Sequence, residues 1–153
     1  MSGMSELTSL VDWPELWSDL IRLAAAAVLC GAVGFEREHQ EQSAGLRTHM
    51  LVGLGACVFT LLMTVLVSLY DADQVRADPI RMIGAITSGV AFLAAGAIIQ
   101  AKGEVRGLTT GASLWLSGAV GLACGLGEFR IAILAVFVTL IVLRGIKSLE
   151  RHI

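Results

Sequence analysis

Charge is scarce in this chain. Asp, Glu, Lys and Arg make up 16% of its 153 residues, against roughly 25% in an average soluble domain. The few charges gather in short clusters and leave long apolar stretches between them. Soluble helices interleave the two classes, so this segregation argues against a soluble helical protein. Cysteine is scarce as well, and Cys30, Cys57 and Cys124 all sit inside apolar segments. An odd number in such places argues against a disulfide framework. With no CxxC pair and no His/Cys cluster, no metal and no cofactor is expected. The chain has no basic stripe with interleaved aromatics, which makes nucleic acid a poor partner. Neither a nucleophile–base pair nor a phosphate-cradling loop is visible, so no catalytic residue is assigned and no enzyme is expected. Glu6, Asp12, Glu15 and Asp19 precede the first base, Arg22, the wrong sign for a cleavable signal peptide.

What is present reads as an all-α integral membrane protein: five transmembrane helices in a single domain over residues 1–153. The polar clusters predict spans at about residues 14–35, 46–70, 79–99, 108–126 and 129–143, the last being the shortest, where a bilayer needs about 20 residues. Pro14 opens the first span with Glu15 in its first turn. Proline fixes φ there, and an early acid suits the positive helix end. From Pro14 to Phe35 the rise is about 33 Å, enough to cross. Trp13 and Trp17 fit an interfacial aromatic belt, and Arg22 is expected to snorkel outward or pair with Asp19. Pro79 opens the third span with Asp78 as its N-cap. The chain stops at Ile153, soon after the last span, so no C-terminal cytoplasmic domain is expected.

Orientation follows from counting bases by side. With the N-terminus outside, four lie outside (Arg22, Arg76, Arg81, Arg130) and seven inside (Arg37, Arg47, Lys102, Arg106, Arg144, Lys147, Arg151). The positive-inside rule then places the C-terminus in the cytoplasm. Acids are biased the other way, through Glu6, Asp12, Glu15, Asp19, Asp71, Asp73, Asp78 and Glu128.

Small residues mark expected helix contacts, because small-xxx-small faces let backbones approach where lipid supplies no hydrophobic drive. Span three offers Gly84 with Ser88 and Ala85 with Gly89; span four offers Gly121 with Gly125, plus Gly118. Those two spans are therefore expected to be central and span five lipid-facing. Unpaired small faces on so small a bundle suggest a homo-oligomer, most simply a two-fold dimer.

The chain also carries a weak internal repeat. Aligning residues 31–58 with 93–120 gives seven identities in 28 positions. Gly34 falls on Gly96, Gly45 on Gly107 and Thr48 on Thr110, and these glycines join the expected packing positions. Both units would start outside, which makes a parallel repeat of helical hairpins. The halves differ at Glu36, Arg37 and Glu38, which fall on Ile98, Ile99 and Gln100.

The run GAVGFEREHQEQSAGLRTHMLVGLGA (31–56) closely resembles the signature of the MgtC/SapB family of bacterial inner-membrane proteins. SGVAFLAAGAII (88–99), VRGLTTGASLWLSGAVG (105–121) and CGLGEF (124–129) resemble it too. The resemblance implies five transmembrane helices with a cytoplasmic C-terminus. It also implies a role in adaptation to low magnesium and in virulence, and for some members regulation of other membrane complexes, including the F-type ATP synthase.

Glu36, Arg37, Gly45, Leu46, Arg47 and Thr48 match the family's first motif, and Arg106, Gly107, Leu108, Thr110 and Trp115 its third. Both sets lie at cytoplasmic helix entrances, where four N–H groups lack intrahelical partners; Thr48 and Thr110 are placed to satisfy them. One reading makes these residues turns and caps with arginines near headgroups. The sharper one pairs Glu36 with Arg47 or Arg106 in a polar cluster between the hairpins. His39 and His49 are expected to be solvated loop residues. Magnesium prefers oxygen ligands, and no acid lies near mid-membrane, where transport sites usually lie. A regulator of membrane complexes is thus preferred to a small cation or proton carrier.

Overall fold

A computed structural model describes residues 13–69, 78–101 and 104–150. Glu6, Asp12, Tyr70, Asp71, Asp73, Arg76, Lys102 and Arg151, used above, lie outside the described residues. The described residues form five helices: α1 (Trp13–His39), α2 (Leu46–Leu69), α3 (Pro79–Gly96), α4 (Leu108–Gly125) and α5 (Phe129–Glu150). Three of them, α1, α2 and α4, are long and apolar enough to cross a membrane, and Ile83–Gly96 within α3 is a shorter apolar helix.

Helix boundaries follow local chemistry. The α3 start is as expected: Asp78 Oδ1 accepts the N–H groups of Ile80 at 3.0 Å and Arg81 at 3.3 Å, with Pro79 at the first helical position. The first span runs a turn further than residue 35, to His39, so Glu36 and Arg37 are helical rather than terminal. A short turn then returns the chain, with Glu41 in the left-handed region at φ 54°. The third span ends earlier than residue 99. Residues Ile99–Ala101 and Glu104–Arg106 form an antiparallel two-stranded ribbon, β1 and β2, with Gln100 opposite Val105. The fifth helix runs on past residue 143, which brings Arg144 onto it.

At the centre is α4, which touches each of the other four helices, while α3 packs on α4 with a slight edge against α2. Only one of the two spans expected to be central is central. Two apolar clusters flank α4. One joins Ala26, Cys30 and Val33 of α1 to Cys57, Val120, Cys124 and Val136; the other joins Val52 to Val90, Ala94 and Leu114. The three cysteines are free and buried.

Glycines explain how closely the backbones approach. A Cβ at Gly121 would collide with the carbonyl oxygen of Gly53, and one at Gly125 would lie 2.6 Å from Thr60 Cβ, so α2 and α4 meet backbone to backbone. Gly34 is held against Leu46 Cα, where a Cβ would come within 2.8 Å. A Cβ at Gly45 would meet the flexible Glu38 side chain instead. On the other side of α4, Gly118 receives Val90. The glycines of α3 behave differently. A Cβ at Gly84, Gly89 or Gly96 would meet nothing within 4 Å. Among the described residues nothing packs on them, because α3 turns Val90 and Ala94 inward instead. Arg22 neither snorkels nor closes on Asp19: its Nη1 donates to the carbonyl of Gly125 at 3.2 Å, where a cation suits the negative end of α4.

Candidate functional site

One end of the bundle gathers the close of α1, the starts of α2 and α4, and Arg144 of α5. Seven polar or charged side chains are buried among the described residues: Glu36, Arg37, His49, Thr60, Thr110, Ser113 and Ser117. All but Thr60 and Ser117 cluster towards this end.

Glu36 is the acid of the cluster. Its Oε2 accepts from Arg144 Nε at 2.7 Å and lies 2.7 Å from Arg144 Nη2, while its Oε1 accepts from Gln40 Nε2 at 2.7 Å. The expected partners are therefore replaced. Arg47 and Arg106 both have exposed side chains, and the cation that reaches Glu36 comes from the far end of the chain. The extended α5 makes this possible by carrying Arg144 to the level of the last turn of α1.

Arg37, only 4% exposed, points the other way, into the α1–α4 junction. Its Nη2 donates to Gln42 Oε1 at 2.9 Å and to Thr110 Oγ1 at 3.0 Å, and its buried Nε has no acceptor. Thr110, fully buried in the first turn of α4, thus holds an arginine; no side chain caps that helix, whose N-cap is Gly107. Gly107 sits at φ 88°, and a Cβ there would strike the carbonyl of Ala97. Thr48 does not mirror its repeat partner. It is exposed, and the start of α2 is capped by Glu38, whose Oε2 accepts the Leu46 N–H at 2.7 Å.

His49 is no loop residue. It is wholly buried in α2, with Nδ1 2.8 Å from the Gly45 carbonyl and Nε2 3.0 Å from Ser113 Oγ. A carbonyl only accepts, so Nδ1 carries a proton. Ser113 Oγ also lies 2.9 Å from the Thr110 carbonyl, and its single hydroxyl proton has two destinations. Directed at Nε2, it leaves the ring neutral; directed at Thr110, it requires Nε2 to donate and the ring to be charged. The polar line continues as Ser117 Oγ donates to the Ser113 carbonyl at 3.1 Å and Cys30 Sγ to the Ser117 carbonyl at 3.4 Å. His39, by contrast, is exposed and stacks obliquely on Phe35 with ring centroids 4.7 Å apart. Trp115 stands apart, 46% exposed, beside a groove of about 200 Å³ shared with Ile83, Thr87 and Val90.

The MgtC family model matches residues 23–152. The chain belongs to the MgtC family. Among its relatives are YhiD of Escherichia coli (strain K12), a suggested magnesium transporter by its name, 38% identical over 85% of this chain and 61% of that protein. Protein MgtC of Salmonella typhimurium is 40% identical over 79% of the chain and 49% of its own length. Protein MgtC of Brucella abortus is 43% identical over 75% and 45%. The chain thus spans about half of the length of the curated relatives it matches. No solved structure matches it.

Of the motif positions expected to form a site, the fold brings Glu36, Arg37 and Thr110 together and leaves Arg47, Thr48, Arg106 and Trp115 at its edges. Gln40, Gln42, His49, Ser113 and Arg144 were not anticipated. Periodicity could have found some of them. His49, Val52, Gly53, Ala56 and Thr60 mark one buried stripe of α2, and Thr110, Ser113 and Ser117 one stripe of α4. Arg144 had no such signal.

Proposed function

We propose that this MgtC-family protein is a regulator that works by contact with other membrane proteins under magnesium limitation or related stress, and that it does not conduct ions. The observation that carries this reading is the middle of the bundle. Beyond the polar end, the space between α1, α2 and α4 is filled by Cys30, Val33, Cys57, Val120 and Cys124, and the α2 and α4 backbones touch at Gly53 and Gly121. A conduction path needs charged or water-accessible polar groups near mid-membrane. This core offers apolar side chains, thiols and two hydroxyls, Thr60 and Ser117, each of which donates to a backbone carbonyl of its own helix. The outward glycines of α3 support the contact half of the reading, since a partner helix can approach such a face closely. A second copy in a two-fold dimer and a larger complex such as the F-type ATP synthase are the partners considered. In the proposed orientation the N-terminus lies outside the bacterial inner membrane, and the Glu36–Arg37 end faces the cytoplasm.

Cation carriage is the second reading, favoured by the transport suggested in the name of the relative YhiD. Liposomes containing only this protein and loaded with magnesium- or pH-sensitive dye separate the two. No flux above protein-free vesicles is expected. Flux that rises with protein density would establish the carrier instead.

A further inference from the structure

We propose that the buried Arg37 guanidinium and the first turn of α4 together form a binding site for a phosphate anion. The site begins with a charge balance. Arg37 is 4% exposed, both of its described bonds go to neutral oxygens, and no carboxylate of the described residues lies within 4 Å of it. Its sequence neighbour Glu36 has given its two oxygens to Arg144 and Gln40. Glu36 attracts Arg37 from beyond hydrogen-bond reach but is held by Arg144, so two cations face one acid. A buried cation so poorly compensated is costly, and the cost falls when an anion joins it.

The surroundings favour the same ligand. Arg37 reaches Thr110, the third residue of an 18-residue helix whose N-cap makes no side-chain hydrogen bond. The first N–H groups of a helix lack intrahelical acceptors, and with the helix dipole they attract anions. A guanidinium placed at that same positive end adds to the potential.

The two hairpins show what is missing. In the first, the Glu38 carboxylate caps the start of α2 at Leu46. In the aligned second half Glu38 becomes Gln100, an amide on β1, and Leu46 becomes Leu108. The N-cap cannot supply an acid either, because a side chain at Gly107 would strike Ala97. So α2 has a carboxylate on its first turn, and none is found on that of α4 among the described side chains.

Geometry supplies the grip. Nε and Nη2 share one edge of the guanidinium, the edge that binds oxyanions with two parallel hydrogen bonds. Arg144 already uses that edge on Glu36. On Arg37 the Nε is unpartnered, and the Nη2 is shared between Thr110 and Gln42. Gln42 is an exposed side chain whose other hydrogen bond goes to the Gln40 carbonyl, so that an anion need displace only surface contacts of Gln42. Phosphate oxygens fit both the fork and the helix N–H groups. The phosphate comes from an anionic lipid headgroup or from a soluble ion.

Thermal unfolding of the full chain in neutral detergent tests this, at constant ionic strength held with chloride. Inorganic phosphate is one addition; phosphatidylglycerol, set against phosphatidylcholine, is the other. Phosphate or phosphatidylglycerol should raise the midpoint, and whichever does so names the source. Arg37→Gln should abolish the rise. Thr109→Asp places a carboxylate in the exposed first turn of α4; it should raise the midpoint without ligand and weaken the apparent affinity by about tenfold or more. If Arg37→Gln does not fold, Thr109→Asp decides. No rise with either addition, or the same response in Thr109→Asp as in the wild type, overturns the proposal.

Discussion

Gly121→Ala is the sharpest test of the architecture. The added methyl would sit on the Gly53 carbonyl oxygen, closer than any real Cβ contact, and backbone cannot swing aside as a side-chain tip does. To restore contact, α2 and α4 must separate by roughly an ångström, and gaps of about 0.5–1 Å forfeit a quarter to a half of the dispersion energy of the atoms that line them. Overpacking of this kind costs about 1–3 kcal/mol. The damage spreads, because Cys57 and Thr60 of α2 rest on Gly125 one turn further along α4. Gly89→Ala is the matched control: its new methyl meets nothing within 4 Å, and replacing a helical glycine gains up to about 1 kcal/mol. Thermal unfolding in detergent should place Gly121→Ala several degrees below the wild type and Gly89→Ala level with it or above. Equal midpoints for the two variants would refute the α2–α4 contact on which the His49–Ser113 bond depends.

Three further outcomes follow from particular contacts. Glu36→Gln and Arg144→Gln should each lower the unfolding midpoint, and the double variant should lose less than their sum, since partners in one ion pair are coupled; strict additivity would show that the pair does not form in solution. Cys30, Cys57 and Cys124 are buried and free, so a maleimide should leave native protein unlabelled and label all three after unfolding in SDS, whereas fast native labelling would contradict the packed core. A reporter fused after Ile153 should be active only in the cytoplasm and one inserted near Asp73 only outside; the reverse pattern would overturn the proposed orientation.

The helices were legible because their causes are local. Apolar length, Asp78 with Pro79 and the polar breaks set the elements to within a turn, except where polar residues continue a helix: Glu36 to His39 on α1, and the residues after Leu143 on α5. Contacts were legible only where a residue type has one use. Gly121 and Gly125 signalled close approach and have it. Gly84 and Gly89 sent the same signal and face away, because a small-residue stripe says that a helix can be approached and not by which neighbour. The choice of Arg144 over Arg47 or Arg106 for Glu36 was illegible for another reason. All three arginines sit at the same end, and only the tertiary register of α5, which no local pattern encodes, selects among them.

The repeat shows how divergence between halves can localise a site. Both hairpins place a glycine before the helix that returns, Gly45 and Gly107, followed by a leucine and, two residues on, a threonine. In the first, the turn is short, the cap is the Glu38 carboxylate and the threonine is exposed. In the second, a strand ribbon replaces the turn, Gly107 adopts φ 88° and the threonine is buried beneath Arg37. The arginine comes from the first half and its seat from the second, so neither hairpin alone contains the cluster. His49 joins them again, since it rises from α2 and its Nε2 meets Ser113 of α4, which the polar line links on to Thr110. The Glu36 carboxylate, the Arg37 guanidinium and the His49 ring thus each make a bond across a helix interface. Any motion of the first hairpin against the second must break the Arg37–Thr110 and His49–Ser113 bonds together, so the two hairpins are tied to each other at the polar end as well as by the apolar middle.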